Sequence, residues 1–128
     1  MKNISILTAA ITAFATPAGA SDRFSGYYNR ECSPTHVCDL RIEPAGENRW
    51  HVLWEPFVWR GDGKPVCHRE FEVYIGGPAG VLVDGIAHGR LGGGLVGIGD
   101  REMGTLEVRA DGGCHGIGMG GTYEAVGD

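Results

Sequence analysis

The clearest pattern along this chain is alternation. From Val37 to Glu43, Cys38, Leu40 and Ile42 fall on one side and Asp39, Arg41 and Glu43 on the other, the two-residue period of a half-buried strand. Arg49–Glu55 repeats it with Trp50, Val52 and Trp54 on the apolar face, and Pro44-Ala45-Gly46-Glu47-Asn48 between the two segments reads as a hairpin loop. Val66–Ile75 turns Phe71, Val73 and Ile75 inward and Glu70 and Glu72 outward, and Thr105–Ala110 turns Leu106 and Val108 inward. Shorter segments complete the set: Phe24–Asn29, Val81–Val83, and a stretch from Ile86 to Ile98 whose glycines blur every boundary. Asp111-Gly112 is a two-residue hairpin signal. The return strand is therefore expected to pair His115 with Val108 and Ile117 with Leu106, then to run on towards Tyr123. Beyond the N-terminal segment no stretch holds a helical apolar period for three turns. The expected fold is all-β: a small antiparallel meander of about eight short strands, closed as a barrel or flattened as a sandwich.

The first twenty residues break the pattern. Lys2 gives a positive start, Ile4–Phe14 is apolar apart from small hydroxyl residues, and Ala18-Gly19-Ala20 presents small residues at the positions signal peptidase reads. A membrane anchor needs about 20 apolar residues, and this run is shorter. The expectation is a cleavable signal peptide over 1–20 and one exported domain over 21–128, periplasmic or secreted.

Composition narrows the partners. The formal net charge is −5, and losing Lys2 makes it −6. Both signs are interspersed with no basic stripe, which argues against nucleic acid and anionic membranes. No later segment is long and apolar enough to span a membrane, and a monomer is expected.

Export changes how the four cysteines read. Cys32, Cys38, Cys67 and Cys114 all follow the signal segment, and in an oxidising compartment an even count suggests two disulfides. On a meander all four gather at one rim, with His36, His68 and His115 beside them. If the barrel closes, Cys32–Cys114 with Cys38–Cys67 is the favoured pairing, because first and last strands are then neighbours. If it stays open, Cys32–Cys38 with Cys67–Cys114 is favoured. A metal site built from the rim histidines is the rival reading, but zinc ligands usually come in pairs two to four residues apart. Here Cys67-His68 and Cys114-His115 are adjacent, and neighbours in a strand point to opposite faces.

Other motifs are explained by local structure. Gly92–Gly97 has the G-x-G-x-x-G spacing, but no helical pattern follows it; strand glycines more often mark tight curvature or close backbone approach. Arg60-Gly61-Asp62 is the integrin-type tripeptide inside a turn-rich loop, where Asp62-Gly63 already serves as turn chemistry. Ser21, Ser25 and Ser33 are the serines after the signal segment, leaving few nucleophiles, and Glu70 with Glu72 reads as solvated surface. Trp50, Trp54, Phe57 and Trp59 either fill the core or line a cavity. Pro56 is positioned to turn Trp59 outward.

The reading that follows is an exported non-enzymatic binding module for a protein or small ligand in the envelope, without a cofactor. An inhibitor of a cell-wall-attacking enzyme is one concrete version. Its candidate surface is Trp59, His36, His68 and His115. The alternatives are an envelope-associated structural protein with no discrete ligand and a small metal-handling protein using the rim histidines.

Overall fold

The computed structural model describes residues 23–76, 85–100, 102 and 104–126. The signal peptide expected over Met1–Ala20 and the strand expected over Val81–Val83 lie outside them. Among the described residues ten strands follow in chain order: β1 (Gly26–Ser33), β2 (His36–Gly46), β3 (Arg49–Val58), β4 (Arg69–Tyr74), β5 (Ile86–Leu91), β6 (Gly94–Asp100), β7 (Thr105–Ala110), β8 (Gly113–Cys114), β9 (Ile117–Gly118) and β10 (Gly121–Ala125). Eight of them close a barrel in the order β1-β10-β7-β6-β5-β4-β3-β2, antiparallel at every junction, and β8 and β9 form a separate ribbon. Closure decides against the flattened sandwich. Ile86–Ile98 supplies two strands rather than one, joined at Gly92-Gly93, with Leu91 paired to Gly94.

The alternation predicts the interior well. Cys38, Leu40 and Ile42 are buried on β2, while Asp39, Arg41 and Glu43 are exposed. Leu40 faces Trp54, Ile42 faces Val52, and Val52 in turn faces Phe71, so one apolar ladder crosses three strands. An eight-stranded barrel is just wide enough for side chains to fill. Trp54, Tyr123, Met119, Ile98, Leu106 and Val96 do so, each at most 2% exposed. At the end opposite the disulfides Phe24 is fully buried, its ring edge-on to Trp50 at 4.9 Å. Trp50 and Trp54 are thus core residues.

The expected return strand is wrong in register. Gly121 pairs with Val108 and Tyr123 with Leu106, the places assigned to His115 and Ile117. The cause is the turn. A tight two-residue hairpin of the favoured kind needs positive φ at both central positions. Asp111 and Gly112 do not adopt it; His115 (φ 48°) and Gly116 (φ 78°) do. The chain therefore makes an extra hairpin, Cys114 opposite Ile117, before joining the barrel. Cys114, Ile117 and Met119 bury against the core.

That hairpin also overturns the disulfide pairing favoured for a closed barrel. The bridges are Cys32–Cys38 and Cys67–Cys114, with Cα separations of 5.8 Å and 6.6 Å. The favoured pairing assumed that Cys114 begins the last barrel strand, beside β1. It sits instead on the inserted ribbon, which reaches the segment preceding β4.

Candidate functional site

β4 starts opposite Trp54, so β3 runs on beyond it with β2 as its only full-length partner. Beyond β4 this edge of β3 is met only by a short bridge, Phe57 opposite Pro65. Pro56 lies there, where a missing N–H disrupts no long ladder, and its carbonyl accepts the Val66 amide at 2.7 Å. The strand ends in a tight turn in which the Gly61 amide donates to the Val58 carbonyl at 2.9 Å. Arg60, third in that turn, holds φ 62°, a left-handed conformation that glycine usually supplies. Gly61 cannot be replaced easily, because a Cβ there would lie 2.9 Å from the Val58 Cβ. Trp59 is second in the turn. Its amide donates to the Thr35 carbonyl at 2.8 Å, while its side chain is 60% exposed with the Arg60 guanidinium 5.8 Å from the ring centre.

Trp59 borders a depression of about 130 Å³ shared with Glu31, Ser33, Pro34, His36 and Val37. The β1–β2 connection forms its other wall. Ser33 Oγ accepts the Thr35 amide at 3.1 Å, and His36 Nδ1 lies 2.8 Å from Ser33 Oγ and 3.0 Å from Thr35 Oγ1. This network closes a turn and fixes the imidazole beside the indole.

Below the depression the outer face of β2 and β3 brings two carboxylates together. Asp39 stands directly opposite Glu55, and partial burial, then the Glu55 charge, raise the Asp39 carboxyl above its usual range. Glu55 begins a line of ionisable groups. His68 Nδ1 lies 3.1 Å from Glu55 and Nε2 lies 2.6 Å from Glu70; His51 Nε2 follows at 3.2 Å from Glu70. Carboxylates only accept, so both contacts of His68 need the imidazolium. The hydrogen bonds to Glu55 and Glu70 accordingly raise the His68 pKa, and the bond from His68 lowers that of Glu70.

The candidate surface residues are thus only partly together. Trp59 and His36 line one depression. His68 belongs to the carboxylate line on β3 and β4, and His115 is exposed at the tip of the β8–β9 hairpin. All four cysteines are bridged. Among the described residues no group of three or more His, Cys, Asp or Glu side chains is placed to hold a metal ion. Asp62 Oδ1 accepts the Lys64 amide at 3.0 Å, the turn role expected of it. The opposition of Asp39 and Glu55 is not among the expectations drawn from the sequence. The expected loop over Pro44–Asn48 would set Glu43 opposite Arg49 and Asp39 opposite Leu53. Instead β2 runs on to Gly46 with a bulge between Pro44 and Gly46, the chain turns at Glu47-Asn48, and Glu55 comes opposite Asp39.

Comparison with known proteins finds no matching family model, no matching curated protein and no matching solved structure. The class defined by the fold is a small, closed, eight-stranded antiparallel β-barrel with two disulfides, filled by its own side chains.

Proposed function

We propose that this chain is an exported, non-enzymatic binding module that meets a protein partner through the rim around Trp59. The observation carrying this reading is how Trp59 is displayed. Leaving a large apolar side chain in water forgoes roughly 1.5–3 kcal/mol of burial. A left-handed non-glycine residue such as Arg60 adds about 1 kcal/mol of strain. The chain accepts both in one turn, and the Thr35 carbonyl holds that turn in place. Tryptophan is also enriched at the energetic centres of protein interfaces. A packed barrel interior favours a protein over a small ligand held inside. Two disulfides suit an oxidising compartment, in keeping with the export signal read at Met1–Ala20.

The test is capture from an envelope extract by the immobilised exported protein, wild type beside Trp59→Ala, with mass spectrometry of what is retained. A partner held by the wild type and lost from the variant supports the reading. Identical retention by both proteins, or nothing above a blank resin, overturns it.

A further inference from the structure

We propose that the outer face of β1, β2 and β3 beside Trp59 is a docking surface for a protein presenting a cationic side chain, arginine above all, next to an apolar one; this rests on the binding-module reading and names its partner's chemistry. The register of the barrel composes the surface. Glu31 faces Val37, and Val37 faces Phe57. The next outward row toward the opposite rim sets Asn29, Asp39 and Glu55 side by side. Apolar Val58 and Trp59, 48% and 60% exposed, stand above these rows at the rim.

Like charges directly opposite in a sheet destabilise it, and the surroundings leave the Asp39–Glu55 pair only half neutralised. His68 reaches Glu55. Arg41, the cation nearest to Asp39 on the same strand face, is engaged elsewhere. Its guanidinium lies 5.0 Å from the Tyr27 ring centre, and Nη1 is 3.8 Å from Glu43. Among the described residues no cation pairs with Asp39. A guanidinium arriving from outside can meet both carboxylates with its planar fork of donors, while Trp59 and Val37 cover the apolar part of the incoming side chain. The Arg60 guanidinium already lies over the Trp59 ring, so cation–π contact adds to the attraction only where an incoming group takes the other face of the indole. The charge pattern therefore selects a basic partner surface over an acidic one.

Two capped pentapeptides serve as probes, one carrying two arginines around a leucine, the other identical except for citrulline, which keeps the shape and removes the charge. Binding is followed by amide and indole chemical shifts of the isotope-labelled protein. The arginine peptide should shift Asp39, Glu55 and the Trp59 indole, and the citrulline peptide should bind about tenfold more weakly or less. Asp39→Asn combined with Glu55→Gln should weaken arginine-peptide binding by a similar factor. Asp39→Asn alone, which removes the repulsion and leaves the Glu55–His68 contact intact, should melt no lower than wild type. Equal binding of both peptides with loss in Trp59→Ala overturns the cationic specificity and leaves the Trp59 surface standing. Absence of shifts from either peptide overturns this proposal alone, because the capture experiment judges the binding-module reading separately.

Discussion

Trp54 donates its indole N–H to the Tyr123 hydroxyl at 3.1 Å, and that hydroxyl donates onward to the Met119 carbonyl at 2.6 Å. The two residues sit on β3 and β10, which are not neighbours in the barrel. One polar chain inside an apolar core therefore joins opposite parts of the wall to the segment carrying the β8–β9 hairpin. Tyr123→Phe leaves a buried indole N–H and a carbonyl unpaired, at a cost of about 1–3 kcal/mol. Urea denaturation should show a lower midpoint with an unchanged slope.

The same hydroxyl sets an alkaline limit. Burial pushes the Tyr123 pKa up to about 12 from an ordinary 10.0. Between these values the unfolded chain has lost a proton that the folded protein still holds, so stability falls as pH rises through this window. Denaturation measured across it should show a steeper decline for the wild type than for Tyr123→Phe; parallel declines would count against the assignment.

The disulfides should differ in worth. Cys67–Cys114 spans 47 positions and Cys32–Cys38 only 6. On loop-closure entropy, replacing the first pair by alanine costs about 4 kcal/mol and replacing the second about 2 kcal/mol. Equilibrium unfolding of the two double variants gives the order directly.

His68 should titrate above the ordinary histidine range, because deprotonation breaks one of its two carboxylate contacts. Its contribution to stability is complete below the unfolded pKa, near 6.5, and is lost as pH rises through the folded value. Nitrogen chemical shifts of the ring will report the titration. Glu55→Gln should bring the midpoint down, and an unmoved midpoint would rule out the double contact.

The glycines divide into two kinds, which substitution separates. At Gly89, where β4 and β5 share only the pairs Val73–Gly89 and Tyr74–His88, a Cβ would collide with the Glu72 carbonyl oxygen. Gly89→Ala should cost about 1–3 kcal/mol through forced displacement. At Gly99 a Cβ meets the Ile86 side chain, Cγ1 at 3.5 Å and Cδ1 at 4.0 Å, ordinary contacts, and Gly99→Ala should stay within about 0.5 kcal/mol of wild type. Thermal melts of the two variants make the comparison.

These glycines also mark where reading the chain fails. β2 and β3 were legible because Cys38–Ile42 and Trp50–Trp54 alternate without interruption, and every alternation maps onto burial. Between Ile86 and Ile98 the positions Gly89, Gly94 and Gly97 carry no side chain to register as inside or outside, so a hairpin at Gly92-Gly93 left no boundary. The β8–β9 ribbon was hidden for a different reason. Asp111-Gly112 looks like the better turn by residue preference, whereas the chain places positive φ at His115 and Gly116, and the disulfide at Cys114 anchors that choice. At the site Trp59 does face outward, but not because of Pro56, which stays in register opposite Cys38 inside β3; the Val58–Gly61 turn displays it. The left-handed Arg60 that holds it there has no sequence signal.

The most direct test is made on Trp59 itself. Trp50 and Trp54 are 6% and 0% exposed, so in protein labelled with fluorinated tryptophan the Trp59 resonance alone should change strongly between light and heavy water. On adding the captured partner, that solvent sensitivity should disappear from Trp59 while the other two resonances keep their positions. A partner that broadens all three signals yet leaves Trp59 fully sensitive to solvent would contradict the account.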